Sequence, residues 1–137
     1  MIHVLLAEQK LSKGYLIKNI LEKKEYLNVV GVPENSIEIL YALIQNPVDL
    51  IILDKSLKNI NDTDCAGMVS KLNIDVKIIL LLDDEKDIPT SWNPELFAGY
   101  ILKNQSPEKI IQTITQVMFK APKSFVVQND NFARQAV

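Results

Sequence analysis

The sequence predicts an α/β domain in which a parallel sheet of five strands carries helices on both faces. Apolar stretches alternate with stretches of helical periodicity at intervals of roughly 25 residues, as in right-handed βαβ units. In addition, Leu50 to Leu53 is apolar without alternation, which is typical of a central strand buried on both faces. This strand ends at Asp54. One carboxylate is therefore delivered to the carboxyl edge of the sheet, where open α/β folds have their binding crevices.

The first half of the chain contains two strand-helix units. Ile2 to Ala7 is an apolar run typical of a buried strand. Ser12 is a suitable N-cap for a first helix, in which four apolar residues recur at helical spacing: Leu16, Ile17, Ile20 and Leu21. Leu27 to Val32 predicts the second strand. The second helix must end before Pro47, and four residues supply its apolar stripe: Ile37, Leu40, Tyr41 and Ile44.

The chain beyond the central strand begins with a predicted loop. The segment from Lys55 to Thr63 is rich in Asn and Lys and has no periodicity. Asp64 can cap a short helix that carries three apolar residues: Ala66, Val69 and Leu72. Val76 to Leu82 predicts the fourth strand, and a charged loop from Asp83 to Asp87 follows it.

The region before the fifth strand is unfavourable for a helix. At most one helical turn is expected between residues 88 and 96, because Pro89 and Pro94 each remove a backbone donor. Ala98 to Leu102 predicts the fifth strand. The last helix starts at Ser106 to Glu108, which combines an N-cap, a proline at the first helical position and an acid in the first turn. Its predicted buried residues are Ile110, Ile111, Ile114, Val117 and Met118.

Length and composition indicate one domain with a proper core. The chain has 137 residues, of which 47% are hydrophobic, and 15 basic against 17 acidic residues give a formal net charge of -2. No overall charge therefore favours nucleic acid or membrane as a partner. The single Cys65 cannot form an internal disulfide, no secretory signal is visible and no apolar run is long enough to span a bilayer. We expect a cytoplasmic protein.

The strand count favours the flavodoxin-like strand order 2-1-3-4-5, which places the first and third strands side by side. Glu8 and Gln9, which follow the first strand, would then share one crevice with Asp54. Leu82-Asp83 and Lys103 follow the fourth and fifth strands and reach the same edge. His3 lies near the start of a strand, away from this edge, and Cys65 lacks the surroundings of a reactive thiol. Both residues are predicted to be structural.

Five fragments carry a resemblance to a known family through their order and spacing. They are VLLAEQ at Val4 to Gln9, VVGVPENSIEIL at Val29 to Leu40, VDLIILD ending at Asp54, VKIILLL at Val76 to Leu82, and GYILKNQSPEKI at Gly99 to Ile110. From Ile2 to about Val117 the chain resembles the CheY-like receiver domains of bacterial two-component response regulators. It is most similar to receivers that precede a helix-turn-helix DNA-binding domain.

The resemblance implies a site for phosphoryl transfer onto a carboxylate. Asp54 matches the phospho-acceptor, Glu8 an acid that holds Mg²⁺, and Lys103 the lysine that pairs with the phosphoryl group. Tyr100 matches an aromatic switch position. Such transfer needs a divalent cation and a fixed positive charge to stabilise the equatorial oxygens, which explains these residue types.

Two departures from the family pattern predict an atypical receiver, or pseudo-receiver. Gln9 replaces the acid that binds the metal directly, so the site has one negative charge less for Mg²⁺. Leu82 replaces the Ser or Thr whose hydroxyl binds the transferred group, so the switch loses its hydrogen bond. Lys55 directly follows Asp54 and, with Lys103, is a candidate for neutralising it without a metal. We therefore expect either no cofactor or weakly bound Mg²⁺.

These observations predict a non-enzymatic regulatory module with impaired phosphorylation. Residues 1–120 would form the receiver-like domain and residues 121–137 a tail or the start of a linker. Expected partners are proteins, either a cognate kinase or an output domain, with a homodimer formed through the first and fifth helices or the face of strands four and five. DNA would be contacted only through a domain absent from this chain. The alternatives are a working Mg²⁺-dependent receiver at Asp54 and a small-ligand-binding protein or enzyme that uses the same crevice.

Overall fold

The sheet has the predicted parallel topology. The computed structural model of the chain describes residues 1–8, 14–57, 59–72 and 74–119, with the backbone alone for residues 14–16. The elements in chain order are β1 (Ile2–Ala7), α1 (Gly14–Glu22), β2 (Leu27–Gly31), α2 (Ser36–Gln45), β3 (Leu50–Asp54), α3 (Asp62–Lys71), β4 (Lys77–Leu82), a 3₁₀ turn (Glu85–Asp87), β5 (Gly99–Leu102) and α4 (Pro107–Phe119). The strand order is β2-β1-β3-β4-β5, and all neighbouring strands are parallel. This confirms the predicted fold class and strand order.

The central strand β3 separates two apolar layers. Leu50 and Ile52 face one layer, which is covered by α1 and α4, whereas Ile51 and Leu53 face the other, which is covered by α2 and α3. All five residues of β3 are buried. The absence of apolar-polar alternation in this strand therefore has the predicted cause, since both of its faces are covered.

The predicted apolar stripe of α2 does not face the core. Ile37, Tyr41 and Ile44 are exposed, and the buried residue of this helix is Ile39. Ala42 and Leu43 pack beside Ile39 against the sheet. The prediction was wrong because α2 is apolar on two opposite sides, and helical spacing alone cannot say which side is covered.

Helix α3 starts earlier than the sequence suggests. Its N-cap is Asn61, whose side chain accepts a hydrogen bond from the Asp64 backbone N–H, so Asp64 lies in the first turn and is not the cap. The loop after β3 is correspondingly shorter. It is also not fully solvated, because Leu57 and Ile60 are buried in the core.

No α-helix forms between β4 and β5, as the prolines predict. The 3₁₀ turn at Glu85–Asp87 precedes an irregular segment that runs to residue 98. Trp92 and Phe97 pack from this segment against the core, with ring centroids 5.9 Å apart. Two aromatic rings thus cover part of the sheet where a helix would supply an apolar face. Because no helix forms here, the helix predicted as the fifth of the chain is α4.

Helix α4 begins as predicted and covers its side of the sheet with the predicted residues. The Ser106 hydroxyl accepts a hydrogen bond from the Lys109 backbone N–H, and Pro107 is the first helical residue. Ile110 and Ile114 are buried, with Ile111, Val117 and Met118 packed beside them. No described helix has the length and apolar character needed to cross a membrane. Gln9, Ser12 and residues 121–137 lie outside the described residues.

We expect Gly67→Ala to raise the free energy of unfolding by about 0.5–1 kcal/mol, because alanine loses less backbone entropy than glycine inside a helix. Gly67 lies in the middle of α3, and an added Cβ atom would meet nothing within 4 Å. Gly99→Ala is the matched control. Its Cβ would lie 3.2 Å from Val117 Cγ2, so no comparable gain is expected there. Urea denaturation measures both, and a loss of stability in Gly67→Ala would contradict the assignment.

Candidate functional site

The polar residues at the carboxyl edge converge as predicted. Glu8 directly follows β1, Asp54 ends β3, and Lys103 directly follows β5. Ala7 is level with Leu53 in the pairing of β1 with β3, so Glu8 and Asp54 leave the sheet side by side. The structure thus brings together three of the residues that the sequence predicts for this site, and it leaves Gln9 outside the described residues.

Both carboxylate oxygens of Asp54 already have partners. Its Oδ2 lies 2.8 Å from Lys103 Nζ. Its Oδ1 accepts two hydrogen bonds from Ser56, at 2.9 Å from the backbone N–H and 2.7 Å from the hydroxyl. The Asp54 side chain is only 2% exposed, so these three donors compensate for its burial.

Ser56 is a site residue that the sequence reading missed. An Asp followed two residues later by Ser is a pattern in which the carboxylate accepts the backbone N–H of a turn, and this pattern was the available signal. Lys55, in contrast, is exposed, and the ion pair that Asp54 forms within the described residues is with Lys103. The structure does not support the expected neutralisation of Asp54 by Lys55.

Lys103 joins two carboxylates. Its Nζ lies 2.8 Å from Asp54 Oδ2 and 2.7 Å from Oδ1 of Asp83, the residue that follows β4. Burial lowers the pKa of Lys103, but the hydrogen bonds with Asp54 and Asp83 outweigh it and hold this pKa above its ordinary value. Lys103 therefore stays charged and is fixed in position from two sides.

Glu8 is the site residue whose burial is least compensated by hydrogen bonds or ion pairs. Its side chain is 1% exposed, and neither carboxylate oxygen has a hydrogen-bond partner among the residues that the structure describes. Burial is the main reason that the pKa of Glu8 is raised to about 7, the nearby Asp54 carboxylate acts in the same direction, and Lys103 opposes both. Near neutral pH, Glu8 is thus divided between its neutral and charged forms.

The acids supply a limited set of ligands for a hard cation. Within the described parts of the chain, no three His, Cys, Asp or Glu side chains are grouped so that they could hold a metal ion. The two uncommitted oxygens of Glu8, beside Asp54, are nevertheless the donors that Mg²⁺ prefers, and Mg²⁺ is often bound by one or two carboxylates with several waters. The described donors therefore fit Mg²⁺ through Glu8 and Asp54.

Leu82 lies at the rim of the site, as the sequence predicts. It is the last residue of β4 and lines a cleft of about 430 Å³ together with Ser56, Asp83 and Pro89. Where the family pattern expects a hydroxyl, this wall of the cleft is therefore aliphatic.

Tyr100 lies away from the charged cluster, on the outer strand β5. Its ring packs edge-on against Trp92, with centroids 5.9 Å apart and planes at 68°. Trp92 was not recognised as a partner of Tyr100 from the sequence, since six residues without helix or strand, 93–98, lie between Trp92 and the start of β5. The ring of Tyr100 is held by an aromatic contact that does not involve Asp54.

The two residues predicted to be structural lie outside the site. His3 Nδ1 is 3.1 Å from Asp49 Oδ2, near the start of β1 and far from its carboxyl end. The backbone N–H of His3 also donates to this oxygen at 2.8 Å and is the main reason that the pKa of Asp49 is lowered. Cys65 is buried in the core, and this burial raises its pKa to about 11. A thiol with that pKa is inert at neutral pH.

Comparison with known proteins points to response regulators. No family model matches the sequence. The response regulator UvrY of Escherichia coli is 28% identical over 118 residues, which cover 85% of this chain and 54% of UvrY. A nitrate/nitrite response regulator protein homolog of Haemophilus influenzae is 26% identical over 103 residues, covering 74% of this chain and 49% of that protein. The chain thus spans about half the length of these curated relatives.

The fold matches solved receiver domains. The response regulatory domain of mrkE from Klebsiella pneumoniae has a TM-score of 0.71 at 19% identity, covering 86% of this chain and 96% of that one. The response regulator TrrA from Thermotoga maritima, solved in complex with Mg²⁺ and BeF, has a TM-score of 0.71 at 23% identity, covering 85% and 99%. RcsB from Salmonella enterica, bound to a promoter, has a TM-score of 0.65 at 20% identity, covering 83% and 66%. The chain is therefore similar in sequence to response regulators and has the fold of their receiver domains, which confirms the resemblance carried by its motifs.

Proposed function

We propose that this chain is an atypical receiver domain, a non-enzymatic regulatory module in which phosphoryl transfer to Asp54 is impaired. The observation that carries the proposal is the hydrogen bonding of the Asp54 carboxylate, in which three of about four acceptor positions are occupied. Ser56 donates twice to Oδ1 and Lys103 pairs with Oδ2. An oxygen that attacks phosphorus must have a lone pair free and aligned with the leaving group. Oδ1 has to give up a hydrogen bond from Ser56 before it can react, whereas Oδ2 keeps one lone pair beside Lys103. The carboxylate thus has a single free position for both a metal ion and phosphorus.

The electrostatics of Glu8 add to this impairment. A cation bound by Glu8 and Asp54 would supply the charge that stabilises the equatorial oxygens of a phosphoryl group. Glu8 can act as a ligand only when deprotonated, and its pKa of about 7 leaves part of it neutral at physiological pH. With Gln9 in place of a second acid, the site has little negative charge with which to attract Mg²⁺.

With Leu82 at this position, phosphoryl transfer to Asp54 would not be coupled to a conformational response. A phosphoryl group on Asp54 would have Lys103 as a charged partner, but Leu82 has no hydroxyl that could bind it. Tyr100 already has an aromatic partner in Trp92 and gains no contact from such an event. We therefore propose that the module acts through its surfaces and its partners, with little dependence on the state of Asp54.

The partners in this proposal follow from the relatives. UvrY and the Haemophilus protein are response regulators about twice the length of the matching segment, and one structural neighbour, RcsB, was solved bound to a promoter. We propose a protein partner for this chain, a cognate kinase or an output domain. DNA would be contacted only through a domain outside these 137 residues. The cytoplasmic location expected from the sequence remains part of the proposal, and residues 121–137 remain a proposed tail or linker.

The test is incubation with an acyl phosphate and excess Mg²⁺ at pH 7, followed by intact mass spectrometry. We expect little or no addition of a phosphoryl group to the unmodified chain. Restoring the family residues in Gln9→Asp/Leu82→Thr should increase the incorporation, and Asp54→Asn in that background should abolish it. Stoichiometric incorporation into the unmodified chain, lost in Asp54→Asn, would overturn the impairment.

One observation favours the alternative of a working Mg²⁺-dependent receiver. Both Glu8 oxygens are buried, lack partners among the described residues and lie beside Asp54, which is where a cation would relieve their burial. Under this alternative, Mg²⁺ alone should raise the melting temperature of the chain, and Glu8→Gln should remove the effect. The absence of any Mg²⁺ effect up to tens of millimolar would exclude it.

A further inference from the structure

Helix α2 exposes a stripe of large apolar side chains. Ile37, Tyr41 and Ile44 are 78%, 62% and 71% exposed. Their spacing of four and three residues places them on one side of the helix. The opposite side is the one that packs on the sheet, through Ile39. The stripe therefore does not contribute to the domain's own core. An exposed apolar patch of this kind on a small domain marks an interaction site.

A groove between α2 and α3 extends the stripe. It has a volume of about 540 Å³, and its apolar lining includes Leu40, Met68 and Leu72. Gly67 opens it further, since a side chain there would meet nothing within 4 Å. We call the stripe and this groove together the α2–α3 surface, which consists of Ile37, Leu40, Tyr41, Ile44, Asp64, Gly67, Met68, Lys71 and Leu72.

Among its described side chains, the opposite layer offers no comparable surface. The apolar residues of α1 with described side chains, Ile17, Ile20 and Leu21, are buried, and Lys18 pairs with Glu22 on its outer side at 3.6 Å. The exposed large apolar residue of α4 is Phe119, at its end. Of the helices that the structure describes, α2 thus shows the most apolar surface, and it was not among the dimerisation faces considered from the sequence.

The charges on the α2–α3 surface can pair with those of the same surface on a second copy of the chain. Both helices follow strands of a parallel sheet and start at its carboxyl edge, so they run in the same direction. Asp64 lies in the first turn of α3 and Lys71 in its last, about 10 Å apart on one side of the helix. Neither side chain forms an ion pair within the described residues. A two-fold axis perpendicular to α3 would place each Asp64 against the Lys71 of a second copy.

We propose that the α2–α3 surface is a two-fold interface between two copies of this chain. The apolar stripes would pack against each other, and two reciprocal Asp64–Lys71 pairs would fix the antiparallel orientation. Two ten-residue helices, each about 15 Å long, present less than the roughly 800 Å² per partner of a standard interface. The dimer is accordingly weak, and its formation does not depend on whether Asp54 accepts a phosphoryl group.

The first arm of the test is sedimentation velocity of the full chain from about 1 µM to about 1 mM, a range that covers weak dissociation constants. We expect a reversible monomer-dimer equilibrium. The double variant Ile37→Gln/Ile44→Gln should raise the dissociation constant by about tenfold or more, which corresponds to about 1.4 kcal/mol. Phe119→Gln is the matched control, because it removes an exposed apolar side chain from the other layer and should leave the equilibrium unchanged.

The second arm tests orientation by exchanging charges. Asp64→Lys and Lys71→Glu should each weaken the dimer, because they place like charges opposite each other, and Asp64→Lys/Lys71→Glu should restore it. These positions are exposed, so each charge reversal should cost no more than about 1 kcal/mol through the dipole of α3, and melting curves should show that all variants remain folded. A chain that is monomeric over the whole range, because another segment or a different partner covers this surface, would overturn the proposal. A dimer whose dissociation constant is unchanged in both the Ile37→Gln/Ile44→Gln variant and the single charge variants would also overturn it.

Discussion

Lys103→Met should lower the free energy of unfolding by about 3–5 kcal/mol at pH 7, because it removes one partner of a buried ion pair. Asp54 is 2% exposed, and among the described residues Lys103 is the cation that pairs with it. Methionine keeps the length and the apolar contacts of the lysine side chain, so the loss reports on the charge. Urea denaturation gives the size of the effect.

The matched control for Lys103→Met is Asp54→Asn. Asparagine is uncharged, its carbonyl oxygen can still accept from Ser56, and Lys103 keeps the pair with Asp83 at 2.7 Å. We expect this variant to lose much less stability. The double variant Asp54→Asn/Lys103→Met should recover most of what Lys103→Met loses, since position 54 then carries no unpaired buried charge. Equal losses in the two single variants would contradict the geometry described for Lys103.

The stability of the unmodified chain should contain a component that falls as pH rises from about 4.5 to about 7. The pKa of Glu8 is raised from the ordinary value of 4.5 to about 7 in the folded chain. Between these two values the folded state binds more protons than the unfolded state, so raising the pH favours unfolding. Below pH 4.5 Glu8 is protonated in both the folded and the unfolded state, and above pH 7 the loss of stability no longer changes with pH. Its size is on the order of 3 kcal/mol.

Glu8→Gln removes this titration. The variant should unfold at higher urea concentration than the unmodified chain at pH 8, and the difference between them should shrink as pH falls to about 4.5. Comparing the two proteins cancels the titration of other groups, including Asp49, whose lowered pKa adds stability that is lost only at low pH. The measurement is denaturation at several pH values with a chelator present. A difference that does not change with pH would show that Glu8 is not desolvated in the folded chain.

The sequence was sufficient to predict the sheet and the positions of three site residues. The carboxyl ends of parallel strands share one edge, so knowing where β1, β3 and β5 end was enough to bring Glu8, Asp54 and Lys103 together. The prolines at 89 and 94 likewise predicted the missing helix, because their effect on the backbone is local.

The partners of these residues could not be predicted with the same ease. Ser56 reaches Asp54 through the geometry of a loop, which follows from the packed structure. Asp83 was expected at the same edge, but its ion pair with Lys103 was not. The side of α2 that faces the sheet was wrongly predicted, since Ile39 and Tyr41 lie on opposite sides and both are apolar. Periodicity identifies a buried face only when the other face is polar.

The irregular segment between β4 and β5 also affects how the fold opens. β5 is an edge strand with β4 as its neighbour, and Ile88 to Ala98 reaches it with short turns in place of a helix. A helix would stiffen this region with a ladder of its own hydrogen bonds, whereas here isolated turn hydrogen bonds, the bond from the Ala98 N–H to the Ile78 carbonyl and the packing of Trp92 and Phe97 hold it. We therefore expect the segment Ile88 to Ala98 to be a weaker cooperative unit than the sheet. It can detach in a sub-global fluctuation that leaves β3 and the charged edge around Asp54 in place.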